Sequence, residues 1–284
     1  MHWSPIISTS LIKDLKLSPK NFYHKHLRPK MKYGAPQIDH SNNSCRLRIV
    51  TKPIYSLKML QKAVKAYLDI FSMPYCMHGG ATGDSNFDNA LVHINNRFYY
   101  TIDLKNFFGT ISNSRIHQTL ISLGHTWHEA RNITRIATLD GCLPQGAPTS
   151  TILACLAFSP TALLLEDFCK ERNITFTVYI DDLTFSSPNC FKHHTDQIIK
   201  IIKTNGFCVN HHKIHYRINN CEITGIIVNK GQLTLPNKIL KNLNKAGVKQ
   251  YVASFTDRYE KYLLSKKAAL LSQSGFVARR GIEL

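Results

Sequence analysis

Between residues 56 and 71 apolar side chains recur at Leu57, Leu60, Val64, Tyr67, Leu68 and Phe71, with lysines opposite. That spacing predicts an amphipathic helix, with Ser56 as its cap. Residues 78–86, His-Gly-Gly-Ala-Thr-Gly-Asp-Ser-Asn, read as a glycine-rich loop, after which Asp88 to Ile94 resume a short helix. Arg97 to Asp103 is a β-rich run that ends on a carboxylate. Two helices are expected next, the second opening on the capping box Thr126-Trp127-His128-Glu129. The turn 143–150 then leads into a long apolar helix that Pro160 is expected to interrupt and bend. Residues 174–187 form two β-rich runs meeting at Asp181-Asp182, a hairpin with two acids at its tip. A helix from about Phe191 to Asn205, stopped by Gly206, precedes strand-like runs at 207–210, 213–218 and 222–228, and 237–284 is again helical in pattern. The fold class is therefore α+β, with helices packed on an antiparallel sheet.

Composition sharpens this picture. The chain has 284 residues, 43% of them apolar, enough for one core-bearing body with subdomains. Its 36 Lys and Arg against 18 Asp and Glu give a net charge of +18, which attracts polyanions. Nucleic acid is the first partner to consider, with an anionic membrane surface or a merely basic soluble protein as alternatives. Residues 1–45 concentrate the charge, with Lys13, Lys16, Lys20, Lys25, Arg28, Lys30 and Lys32 among Phe22, Tyr23 and Tyr33. This segment is expected to be a partly helical cover with an anion-facing side. The eight cysteines form no CxxC pair, so zinc-finger spacing is absent and reduced, cytoplasmic thiols are expected. Neither a secretion signal nor a membrane span is expected. The His pairs 193/194 and 211/212 lack helical metal-ligand spacing and receive no assignment.

Carboxylates supply the candidate chemistry. Joining a nucleotide to a growing chain brings two polyanions together, and magnesium held by a few carboxylates offsets their charge. Asp103 at a strand end and Asp181 and Asp182 at a hairpin tip supply such a set in principle, and two ions would clamp the attacking and leaving oxygens. An isolated Asp-Asp in a turn is ordinarily structural. Here it follows an unbroken β-rich run and lies downstream of a second strand-end acid and a Pro-Gln-Gly turn.

Over roughly 46–230 these residues resemble the reverse transcriptase family. Asp103 with Phe107 and Phe108 looks like its first catalytic motif, Pro144-Gln145-Gly146-Ala147-Pro148-Thr149-Ser150 like its template and nucleotide turn, and Tyr179-Ile180-Asp181-Asp182 like its YxDD box. Two further segments resemble the bacterial retron branch: Asn89-Ala90-Leu91-Val92-His93 is similar to its NAxxH element, and Ile223-Thr224-Gly225 to its VTG element with Ile for Val.

The resemblance implies a right-hand polymerase. Residues 1–45 form a basic N-terminal segment, 46–96 the fingers, 97–230 the palm with possible fingers insertions within 113–140, and 231–284 a short helical thumb. It implies Asp103, Asp181 and Asp182 as catalytic metal ligands, with Leu104 beside them, holding two Mg2+ ions. Nucleotide contacts are expected from Arg48, Lys52, Phe107, Phe108, Gln145, Gly146 and Lys213, with Phe108 as the gate that excludes a ribose 2′-hydroxyl. RNA contacts are expected from Asn89, His93, Ile223, Thr224 and Gly225. Implied partners are deoxynucleoside triphosphates, a structured noncoding RNA with its DNA product, and an effector protein acting in defence against phage. The rival readings are an RNA-dependent RNA polymerase, disfavoured by Ile180 and Phe108, and a catalytically idle nucleic-acid scaffold.

Overall fold

The structure is a computed structural model that describes residues 19–32, 35–39, 44–45, 47–80 and 85–280. Lys13, Lys16, Tyr33, the tip 81–84 of the glycine-rich loop and the last four residues of the expected C-terminal helix lie outside the described residues.

The basic segment is not a helical cover where it is described. After one 3-10 turn at Pro19–Phe22, strand β1 (Tyr23–Pro29) pairs antiparallel with β2 (Leu47–Pro53), from Tyr23 opposite Pro53 to Pro29 opposite Leu47. The run Tyr-His-Lys-His-Leu-Arg-Pro carries no apolar stripe at helical period, so its backbone groups are satisfied by a neighbouring strand instead. The ribbon stands in solvent and leaves Leu27, Leu47 and Ile49 exposed.

Helix α1 (Tyr55–Leu68) buries Leu57, Val64 and Leu68 of the predicted stripe and half-buries Leu60 and Tyr67; it also buries Gln61, and Phe71 falls beyond its end. Ser56 does not cap it. Ile54 occupies the N-cap without a side-chain bond, which places Ser56 inside the first turn. Buried Gln61 ties the helix to its neighbours, its amide donating to the Tyr23 hydroxyl at 2.8 Å and to the Ile136 carbonyl at 2.8 Å.

The centre is a four-stranded antiparallel sheet in the order β6-β3-β5-β4, formed by β3 (Phe98–Asp103), β4 (Thr175–Tyr179), β5 (Asp182–Ser187) and β6 (His215–Ile218). Helices α4 (Asn113–Ser122), α5 (Trp127–Ala137), α6 (Ser150–Lys170) and α7 (Thr195–Thr204) share the large core with one face of it. The capping box at Thr126 and Glu129 forms as expected. Helix α6 runs unbroken through Pro160. It is the only described helix long and apolar enough to cross a membrane, and it is mostly buried in the core.

A second core joins α2 (Asn86–Leu91) to a three-stranded antiparallel sheet of β7 (Asn220–Ile223), β8 (Ile226–Asn229) and β9 (Gln232–Thr234). Strand β9 lies beyond residue 230, so this sheet continues across the division expected there. The one-turn helix α8 (Asn237–Leu240) and the long α9 (Ala246–Arg280) follow, and Ile239 and Phe255 close this core.

Candidate active site

Strand parity decides which side chains meet at the sheet. Tyr100, Ile102, Phe176, Val178, Leu183 and Phe185 project to the large core. The alternate positions carry Thr101, Thr177, Thr184 and Ser186 on the other face, and the same parity brings Asp103 and Asp182 to that face. These two acids are register partners at the sheet's open end, where Tyr179 also pairs with Asp182. Like charges directly opposite one another on adjacent strands repel, and a cation between them relieves the repulsion.

Asp181 sits on the two-residue turn between β4 and β5. Its backbone carbonyl accepts from the Leu104 N–H at 2.9 Å, which fastens the turn to the end of β3. Burial, and then the charge of Asp103, hold the Asp181 carboxyl above the usual carboxylate range, against the opposing pull of Lys213 and Arg48. A carboxyl whose proton affinity is raised by a neighbouring carboxylate stands where a cation is favoured. Ile180, also on the turn, has a φ of 60°, a conformation uncommon for a β-branched residue. Behind it passes Gly79, where an added Cβ would lie 2.4 Å from the Ile180 nitrogen. The glycine-rich loop thus lets backbone pack on backbone under the acid turn.

Lys213 pairs with the Asp103 carboxylate, and the Asn210 amide donates to the same group at 3.4 Å. Asp103, Asp182, Tyr179, Lys213, Ile223, Thr224 and Gly225 line one groove of about 560 Å³. Four further residues of the sequence reading thus lie on one groove with Asp103 and Asp182: Lys213 from one loop, Ile223 at the end of β7, and Thr224 and Gly225 from the β7–β8 turn. Thr224 and Gly225 both have positive φ, 46° and 87°, as a tight hairpin turn requires.

Other expected contacts need correction. Phe107 is not a nucleotide contact, because it is buried among Phe158 and Phe207 at centroid distances of 5.8 and 6.0 Å. Its neighbour Phe108, on the one-turn helix α3 (Phe107–Thr110), is half-buried against the large core. The Leu104 side chain is buried and purely hydrocarbon, so only its backbone oxygen could serve as a metal donor. His93 and Asn89 are both 0% exposed and have no surface to offer RNA. His93 instead spans the acid hairpin, with Nδ1 2.6 Å from the Ser186 hydroxyl and Nε2 2.7 Å from that of Thr177. Burial, and then the nearby His78, push its pKa down to about 3, so it is neutral at physiological pH. Asn89 donates to the Thr224 hydroxyl at 3.3 Å, so the two retron-like segments touch each other.

Arg48 and Lys52 lie exposed on β2. The turn carrying Gln145 and Gly146 is docked against that strand, with Thr51 N–H donating to the Gln145 carbonyl at 2.7 Å. Gly146, at a φ of 118°, approaches the strand so closely that a Cβ would lie 2.6 Å from Val50 Cγ1. Among the described residues no three His, Cys, Asp or Glu side chains form a ready-made metal cage. That suits magnesium, which is commonly held by one or two carboxylates and completes its shell with water and substrate phosphate. The register pair Asp103 and Asp182, which lines the groove, fits such an ion, with Asp181 on the turn beside it.

Residues 37–228 match the family described as reverse transcriptase (RNA-dependent DNA polymerase). The chain belongs to this family. Its curated relatives include the retron Ec86 reverse transcriptase of Escherichia coli, 27% identical over 75% of this chain and 68% of that protein. The retron Ec83 reverse transcriptase of the same species is 24% identical over 88% of this chain and 80% of that protein. A third, the retron Se72 reverse transcriptase of Salmonella heidelberg, is 26% identical over 65% of this chain, which spans about half (48%) of its length. This reverse transcriptase is accordingly of the retron type, an RNA-directed DNA polymerase. Its fold is shared by telomerase from Candida albicans, solved with a fragment of telomeric RNA, at a TM-score of 0.52, with 12% identity over 81% of this chain and 49% of that one. Divalent metal ions serve the family generally.

Sequence reasoning missed Gly79, Asn86, Asn210, Tyr251 and Arg258. A signal was present for one group, since Ser85 and Asp88 form a capping box whose spacing is visible in the chain.

Proposed function

We propose that this reverse transcriptase copies a structured noncoding RNA into single-stranded DNA, starting from a 2′-hydroxyl within that RNA and leaving a branched RNA–DNA hybrid. The observation that carries this reading is the groove on which the acid pair Asp103 and Asp182 faces the Thr224-Gly225 turn and Lys213. Asp103, Asp181 and Asp182 would hold two magnesium ions, with the Leu104 carbonyl beside them. Magnesium there would supply charge neutralisation for the triphosphate and activation of the attacking hydroxyl.

The remaining roles fall to the chain's own groups. Lys213, exposed and already paired with Asp103, would exchange that partner for pyrophosphate oxygens. Arg48 and Lys52 on the ribbon would bind the triphosphate, Gln145 and Gly146 would shape the nucleotide pocket behind it, and Phe108 would exclude the 2′-hydroxyl of an incoming ribonucleotide. Ile223, Thr224 and Gly225 would meet the nucleic acid strand at the groove wall. A hydroxyl held in place by folded RNA needs no separate primer to be found and aligned, and the +18 charge favours binding to RNA phosphates.

By domain, 46–96 serves as fingers, 97–230 as palm and 231–284 as a short thumb. We place the enzyme in the cytoplasm, in anti-phage defence alongside an effector protein. The test is to express it with its neighbouring noncoding RNA and analyse the copurifying nucleic acid. Short DNA joined to RNA by a branch that a debranching enzyme cleaves is the expected result. Recovery of linear DNA alone, with an ordinary 3′-primed start, contradicts the retron priming and leaves a general reverse transcriptase.

A further inference from the structure

Helix α9 meets the rest of the molecule through one face, made by Tyr251, Phe255, Arg258 and Tyr259, residues spaced to fall on one side of a helix. Phe255 supplies the apolar part of the contact, its ring 5.7 Å from that of Phe87. The other three supply polar contacts. Arg258 donates to Asp88 at 3.0 Å and also to the Ser85 hydroxyl, while the Tyr259 hydroxyl accepts from the Leu233 N–H at 3.2 Å. Burial alone would raise the pKa of Asp88, yet its bonds to Ser85 and the charge of Arg258 outweigh burial and hold it below the ordinary carboxylate range.

Tyr251 is linked to the groove through Asn86. The Asn86 amide donates both to the Tyr251 hydroxyl at 2.8 Å and to the Thr224 carbonyl at 3.1 Å. Asn86 thus joins the long helix to the β7–β8 turn, and Asn89 adds the bond to the Thr224 hydroxyl. That turn forms a wall of the groove facing Asp103 and Asp182. A tight turn held at positive φ by two residues has few contacts of its own, so its position depends on the side chains that grip it.

We propose that Tyr251 and Asn86 are positioning residues for the polymerase groove, latching α9 to the Thr224-Gly225 turn so that the turn stands at the distance from the acid pair that a primer–template needs. This rests on the polymerase reading above. Because the latch acts on the groove wall and not on the carboxylates, its loss weakens nucleic acid binding more than it slows chemistry.

The test uses the full chain with Tyr251→Phe, which removes only the hydroxyl, Asn86→Ala, and Ser254→Ala on the exposed side of α9 as a control. Primer extension on an RNA template gives kcat and KM for the primer–template, fluorescence anisotropy gives its Kd, and thermal melting checks the fold. For each latch variant we expect KM and Kd to rise by about tenfold, the scale of one net hydrogen bond, with kcat within about twofold and melting close to that of the control. Unchanged KM and Kd in both Tyr251→Phe and Asn86→Ala overturn the latch, as does an equal fall in kcat with KM constant. A wild-type chain that does not extend a primer counts against the polymerase reading instead, and the latch is then decided by the Kd values alone.

Discussion

The two faces of the central sheet are buried by different means. One carries Tyr100, Ile102, Phe176, Val178, Leu183 and Phe185 into the large core, where Phe176 and Phe185 stack at 4.7 Å. The other carries Thr101, Thr177, Thr184 and Ser186, and is covered at one end by the segment that includes His93 while it opens at the other into the groove with Asp103 and Asp182. The apolar face needs only shape and area. The hydroxyl face can be buried only if each group finds a partner, and His93 supplies two of them. The difference teaches that one face is sealed throughout by apolar packing, whereas the other is sealed at one end by hydrogen bonds and by Tyr99 in the second core and stays open at the end that carries Asp103 and Asp182.

The comparison predicts effects of graded size. At the open end, Asp182→Asn or Asp181→Asn should lower DNA synthesis by at least about a hundredfold to a thousandfold, as losses of a single preorganised charge-stabilising group do. The melting temperature should hold or rise, because a like-charge contact is relieved. Near-normal primer extension by either variant would remove it from the metal site.

Beneath the acid turn, Gly79→Ala forces a Cβ to within 2.4 Å of the Ile180 backbone. Neither backbone can yield cheaply, so a cost of about 1–3 kcal/mol and a marked loss of activity are expected. A variant with wild-type denaturation midpoint and rate would show that the loop moves aside freely.

At the sealed end, His93→Ala leaves the Thr177 and Ser186 hydroxyls without their shared partner and should cost about 1–3 kcal/mol. Its pH signature is more specific. The His93 pKa falls from 6.5 to about 3 on folding, so the unfolded chain binds a proton that the folded chain does not. Stability from this group is fully present above pH 6.5 and declines as pH falls toward 3. His93→Gln should flatten that decline relative to wild type in urea titrations between these limits, and parallel slopes would mean that His93 is protonated in the folded protein.

The smallest effect expected is in selectivity. Phe108→Ala should raise the use of ribonucleotides relative to deoxynucleotides by about tenfold, within the range for a lost steric contact in a pocket. An unchanged ratio would make Phe108 part of the core that it already touches.

How legible each part was follows from the same contrast. The strand ending at Asp103, the hairpin carrying Asp181 and Asp182, and the α1 stripe were readable because burial by apolar contact leaves a period in the sequence. The hydroxyl face was not readable as buried, since Thr and Ser at alternate positions look like a solvated edge. The same ambiguity misassigned His93 and Asn89 as RNA contacts, because a segment's resemblance to a motif does not say which way its side chains point. Phe107 and Phe108 differ by one residue and share chemistry, so only the packing around α3 separates core from rim. The β1–β2 ribbon escaped notice because its charge and aromatic content dominate over any alternation.

The central claim, that Asp103, Asp181 and Asp182 make this chain an RNA-directed DNA polymerase, is tested most directly by primer extension on an RNA template with magnesium, comparing wild type with Asp182→Asn. The account predicts DNA synthesis from deoxynucleotides by the wild type, little from ribonucleotides, none after chelation of the metal, and none above background by the variant. Extension that is equal in wild type and variant, or that prefers ribonucleotides, would contradict it.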